Sequence, residues 1–114
     1  MQKMGDCMKK VYSLVGLAKR AGMAVCGEDL IKDCIRYGKS HLIIIAEDAS
    51  DNTKKSITNS CKYYGASCYI AGTKEDLGHA MGKSHNAAVC ITDAGFAKSI
   101  ETHLQRNTNG GETL

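Results

Sequence analysis

A chain of 114 residues with 43% apolar and 24% charged residues has the length and composition of one soluble globular domain that buries its own core. A net charge of +3 excludes a polybasic tail or a histone-like coat and leaves room only for a local basic patch. No apolar run approaches a membrane span, and Met1 to Lys10 lacks the apolar stretch of a signal peptide, so the expected compartment is the cytoplasm.

In chain order, residues 1–8 and 106–114 are expected to be flexible ends around a single domain over residues 9–105. From Lys9, Val11, Leu14, Val15, Ala18 and Ala21 recur at three- and four-residue steps, the pattern of an amphipathic helix that stops at Gly22. Met23 to Cys26 is a short strand. A second helix runs from about Glu28 to Tyr37, with Leu30, Ile31, Cys34 and Ile35 as its buried stripe and Gly38 as its stop. Lys32, Arg36 and Lys39 follow one another at i, i+4 and i+7 as a basic edge, read either as a solvated face or as phosphate contacts.

Leu42-Ile43-Ile44-Ile45-Ala46 is an unbroken apolar run, the habit of a strand covered on both faces. After the polar turn Asp48 to Asn52, a third helix carries Thr53, Ile57, Cys61 and Tyr64 on one face and ends at Gly65. Cys68 to Ala71 and Ala87 to Ile91 read as further strands. Between them lie a short helix opened by Thr73 and the polar loop Lys83-Ser84-His85-Asn86. A last helix after Thr92-Asp93 buries Phe96, Ala97, Ile100 and Leu104. This alternation predicts an α/β protein, a three-layer α/β/α sandwich with a mixed central sheet of about four strands and about five helices.

The chain has no P-loop, no dinucleotide fingerprint, no nucleophile elbow and no H-E-x-x-H. His41, His79, His85 and His103 are too dispersed to name a metal or a general base. No catalytic residue, metal or cofactor is predicted. Glu47-Asp48 ends the central strand and is assigned to capping the helix that follows. Gly27 opens the second helix, whose free N–H groups make a contact point for an anion or a base edge.

Three segments carry a family resemblance: Gly27-Glu28-Asp29, then Leu42 to Asp48, then Asp76-Leu77-Gly78-His79-Ala80-Met81-Gly82. With Asn52 to Lys55 and Thr92 to Lys98, they resemble the ribosomal protein L7Ae/L30e family, and most its small bacterial YlxQ-like branch, over about Lys9 to Leu104. The resemblance implies a non-enzymatic protein that binds kink-turn or other structured RNA and associates with the ribosome. It also implies where: the start of the second helix reads the sheared G·A pairs, and the loop before the last strand covers the flipped-out nucleotide. On this chain those sites are Gly27, Glu28 and Asp29, and Lys83, Ser84, His85 and Asn86, with Lys32, Arg36 and Lys39 holding phosphates.

The family's RNA readers carry G-x-N-E-x-x-K. Here Asp29 stands in place of the Asn, Leu30 of the Glu and Asp33 of the Lys, and the lysine arrives one residue early as Lys32. That shift rotates it by about 100° around the helix. Asp29 accepts a hydrogen bond but offers no amide donor. Two alternatives follow: a protein-interaction module on the same fold without kink-turn recognition, or the substrate-binding partner of an RNA-modifying enzyme. The expected state is a monomer, because no heptad or spare amphipathic helix is present.

Cys7, Cys26, Cys34, Cys61, Cys68 and Cys90 are scattered singly, without a C-x-x-C pair or a zinc-ligand spacing, and five fall in apolar patterns. They are read as reduced structural thiols. The intact mass of the denatured, unreduced protein is expected to equal that of the fully reduced chain; a mass deficit from an internal disulfide overturns this.

Overall fold

Leu42–Ile45 and Ala88–Ile91 lie side by side at the centre of a four-stranded sheet, and every side chain of both is buried. The computed structural model describes residues 3–107. The elements run α1 (Lys3–Arg20), β1 (Ala24–Cys26), α2 (Glu28–Arg36), β2 (Leu42–Ile45), α3 (Asp51–Tyr64), β3 (Cys68–Ile70), α4 (Lys74–Ala80), β4 (Ala88–Ile91) and α5 (Ala94–Asn107). The sheet order is β1-β4-β2-β3. β4 is antiparallel to both its neighbours, and β2 and β3 are parallel. Helices α2 and α3 pack together on one side; α1 packs with α4 and, more extensively, with α5 on the other. This is the expected α/β sandwich with a mixed sheet.

The core explains the layering. Ile43, Ile44, Ile45, Val89 and Ile91 are fully buried and alternate between the two faces, so each layer of helices finds an apolar floor. Val11, Val15 and Ala18 of α1, with Ile100 and Leu104 of α5, cover one side; Ile31 and Ile35 of α2, with Ile57 and Cys61 of α3, cover the other.

Several boundaries and faces differ from the sequence pattern. Helix α1 starts at Lys3, six residues before its apolar periodicity, and Met8 in this extension packs against the core beside Tyr12. At the other end α5 continues through Asn107. Residues 1–2 and 108–114 of the expected flexible ends lie outside the described residues. Leu30, read as part of the buried stripe of α2, is 57% exposed. Its helix touches the sheet along the single Ile31–Ile35 row, and one 100° step carries Leu30 off that row. Tyr64 and Ala21 are likewise exposed, each in the last turn or just past the end of its helix.

Asp48 caps a helix, but not the next one. Its Oδ1 accepts from the backbone N–H of Lys74 at 2.8 Å, so it serves α4. α3 is capped instead by Ser50, whose Oγ accepts from the N–H of Thr53 at 3.1 Å. The reason is topological: β3 returns parallel to β2, so α4 starts beside the end of β2. Thr73 caps α4 as expected, accepting from the Asp76 N–H at 3.1 Å, and Asp93 caps α5 through the Phe96 N–H at 2.8 Å.

The thiols sit mainly in the α2–α3 layer and the sheet. Burial pushes the Cys90 thiol up to about 12, with the Cys34 thiol adding to the effect. A hydrogen bond shared by Cys61 and Cys68 raises the first and lowers the second.

Ile44→Ala empties a fully enclosed site between the two layers and is expected to cost about 2–5 kcal/mol. Ile70→Ala, on the outer strand and 47% exposed, is expected to cost well under half as much. Urea unfolding of the two variants, followed by circular dichroism, measures the contrast.

Candidate nucleic-acid interface

The strand register decides what meets at one end of the sheet. Cys26, the last residue of β1, pairs with Val89, and Ile45 at the end of β2 pairs with Ala88. The N–H of Ala46 donates to the carbonyl of Ala87 at 2.8 Å. The chain entering β4 from Lys83 to Asn86 is therefore flanked by Gly27, leaving β1, and by Glu47, leaving β2. The two segments expected to form the site, fifty-six residues apart in sequence, share one end of the molecule.

At the first segment, Gly27 holds φ 97° and ψ 127°, a conformation strained for any residue with a Cβ. Its carbonyl accepts the first helical bond, from the Ile31 N–H at 2.9 Å. No side chain caps α2, so the N–H groups of its first turn point outward with the positive end of the helix dipole. Glu28, Asp29 and Leu30 are all exposed there.

The second segment is strapped to α4. The Lys83 N–H donates to the Gly78 carbonyl at 2.7 Å, and the Asn86 N–H donates to the Lys74 carbonyl at 3.0 Å. Lys83, Ser84 and His85 are exposed. Asn86 is 8% exposed, and its buried Nδ2 has no hydrogen-bond partner among the described residues. Burying an amide donor in this way costs free energy.

The basic edge of α2 is not a row of free cations. The Lys32 Nζ donates to Ser56 Oγ at 2.7 Å and lies 3.9 Å from the Glu28 carboxylate, so it ties α2 to α3. Arg36 pairs with Asp33 at 3.4 Å, with its guanidinium 5.7 Å from the centre of the Tyr37 ring. Over a nine-residue helix, Arg36 is about 12 Å from Glu28, and Lys39 lies beyond it. Lys83 has no ion-pair partner among the described residues and is the cation placed on the loop itself. Three features escaped the sequence reading: the exposed Leu30 beside Asp29, the buried Asn86, and the Lys32–Ser56 bond. The first departs from an otherwise sound helical period, and the other two join distant elements. No local pattern marks them.

A family model for the ribosomal protein L7Ae/L30e/S12e/Gadd45 family matches residues 9–101, and the chain belongs to that family. It is 39% identical over 89 residues to the RNA-binding protein YlxQ of Bacillus subtilis (strain 168), covering 78% of this chain and 89% of that one. It is 37% identical over 97 residues to the RNA-binding protein YlxQ of Enterococcus faecium, covering 85% and 93%. The large ribosomal subunit protein eL8 of Cenarchaeum symbiosum (strain A) is 28% identical over 96 residues, covering 83% and 76%. Among solved structures, a protein of unknown function from Bacillus halodurans C superposes with a TM-score of 0.81 at 31% identity, covering 84% of this chain and 97% of that one. The Giardia lamblia 15.5kD RNA binding protein shares the fold, with a TM-score of 0.74 at 21% identity and 90% coverage of both chains. No helix among the described residues is long and apolar enough to cross a membrane.

The loop depends on Gly78. A Cβ at that position would stand 2.8 Å from the Cα and N of His85, backbone atoms that cannot give way without moving the loop. Gly78→Ala is expected to cost about 1–3 kcal/mol and to free the strap. Amide hydrogen exchange at Lys83 and Asn86 reads the loosening directly, with exchange at Val89 in the central strand as the reference.

Proposed function

We propose that the protein is a non-enzymatic, monomeric RNA-binding protein that recognises a structured, kinked RNA through the start of α2 and the Lys83–Asn86 loop. We further assign it a cytoplasmic, ribosome-associated role. The observation that carries this reading is the uncapped start of α2 lying beside the exposed polar loop of Lys83, Ser84 and His85, two sets of donors at one end of the sheet. The relatives support it, being named as RNA-binding and ribosomal proteins.

Each part has a chemical job. The first-turn N–H groups of α2 and Lys83 attract the phosphate backbone and fix the register of the RNA. Asp29, an acceptor only, takes hydrogen bonds from the amino and imino edges of guanine at a sheared pair. The exposed Lys83, Ser84 and His85 cover an extruded nucleotide, and the enclosed Asn86 holds their loop on α4 through its N–H bond to the Lys74 carbonyl. Lys32 serves the site from behind, holding α2 against α3 rather than touching RNA.

A second reading rests on Leu30. An apolar side chain 57% exposed next to a carboxylate, where the family's RNA readers have Glu, suits a protein partner better than a nucleic acid. One experiment separates the two. In gel shifts at two salt concentrations, a kink-turn RNA is expected to bind more tightly than a plain duplex of equal length. Lys83→Ala should weaken both about equally and lower the salt slope by up to about 0.9. Asp29→Asn removes a charge and restores an amide donor, so kink-turn affinity should rise by about 1–2 kcal/mol. If neither RNA binds at low salt, or if Asn at position 29 changes nothing, the protein-interaction reading replaces this one.

A further inference from the structure

The opposite end of the molecule has a surface of its own. α2 and α3 both begin at the Gly27 end of the sheet and pack against each other, so both finish at the other end. Tyr37 is 66% exposed, Tyr63 82% and Tyr64 48%, which puts three of the five tyrosines of the chain, all exposed, at this end of the molecule. The rings of Tyr63 and Tyr64 meet edge to face with centres 4.8 Å apart. The Arg36 guanidinium sits over Tyr37, 5.7 Å from its centre, and its charge also acts on Tyr64. Lys39 and Lys62 are exposed at the same end, and the neighbouring carboxylate of Asp33 is taken up by Arg36.

These rings do little for the fold. A tyrosine 82% exposed contributes almost no core burial, and grouped exposed aromatic side chains mark a contact surface. The charge around them is positive, so the partner is anionic. An acidic peptide would need only the cations. A nucleic-acid strand uses both components, bases stacking on the rings and phosphates meeting Arg36, Lys39 and Lys62.

We propose that Arg36, Tyr37, Tyr63 and Tyr64, with Lys39 and Lys62, form a second RNA-binding surface that takes an unpaired single strand. It lies at the end of the sheet remote from Gly27 and does not require the first site. The Arg36–Asp33 pair is half exposed on both sides, so it opens readily to a phosphate.

The test is fluorescence anisotropy with a labelled oligouridylate of about eight nucleotides, within the footprint of a small single-strand surface. Tyr63→Ala is expected to weaken binding about tenfold, the loss of one stacked base. Tyr63→Phe keeps the ring and should bind like the wild type. Arg36→Ala should bind more weakly and with a shallower salt dependence. An unchanged melting temperature is expected for all three, since none fills the core. A blunt kink-turn hairpin without single-stranded overhangs should bind Tyr63→Ala as it binds the wild type. Loss of hairpin binding with the oligouridylate retained would count against the first site alone. No oligouridylate binding at low salt, or equal binding by Tyr63→Ala, overturns the second surface. So does a polyglutamate peptide that displaces the oligonucleotide with the same dependence on Tyr63, which reassigns the surface to an acidic protein.

Discussion

Strand β4 is hydrogen-bonded antiparallel on both sides, to β1 and to β2, and this double pairing governs the rest of the structure. It joins β1 to the β2–β3 pair, which have no other link within the sheet. Because β4 enters where β1 and β2 leave, the polar loop before it has to lie among their ends. A one-residue slip of β4 would turn Val89 and Ile91 to the opposite face and move the loop away from Gly27. Four fully or almost fully buried residues in β4, packed among β1, β2, α2, α4 and α5, make that slip prohibitively costly. The position of the candidate interface is thus a by-product of core packing.

Helix α2 shows how one short element divides its work. Its inward row, Ile31 and Ile35, is committed to the sheet. Its N-terminal turn is left uncapped and faces outward, while its C-terminal turn meets α3. Lys32 bridges to Ser56 in a partly buried bond, which makes this cation part of the scaffold. The Arg36–Asp33 pair, with both side chains 52% exposed, is screened by solvent and adds little to the fold. The two basic residues look equivalent in sequence, four positions apart on the same edge. Their surroundings make one structural and leave the other available.

Most of the architecture was legible in the sequence, because hydrophobic period and glycine stops are local signals. The unbroken Leu42–Ala46 run, the three-and-four spacing in α1 and α3, and the stops at Gly22, Gly38 and Gly65 each translate into an element without reference to anything distant. What could not be read was pairing across the fold. Asp48 looks like the cap of the helix that follows it, yet the parallel return of β3 delivers α4 to its carboxylate. Lys32 looks solvated until α3 brings Ser56 beside it. Leu30 belongs to an apolar pattern that a longer contact with the sheet would have buried. Asn86 reads as a loop residue like Ser84, and only the packing of the loop on α4 encloses it. The two candidate segments were singled out through their resemblance to a family, since nothing local tells Gly27 that it will stand beside the loop before β4.

The pairing of α1 with α5, the most extensive contact between helices, ties the beginning of the described chain to its end. During synthesis, α1 is made long before α5, and the apolar side of Val11, Val15 and Ala18 has no α5 to cover it until the final quarter of these residues has been made. The sheet is in the same position, since β1 and β2 do not touch each other and wait for β4 to come between them. The α2–α3 layer can assemble on β2 and β3 early, but the molecule closes late and all at once. Contacts of such long sequence separation slow folding relative to a helical bundle of this size. A nascent chain of this kind stays half-built, with one apolar face open, until α5 has been made.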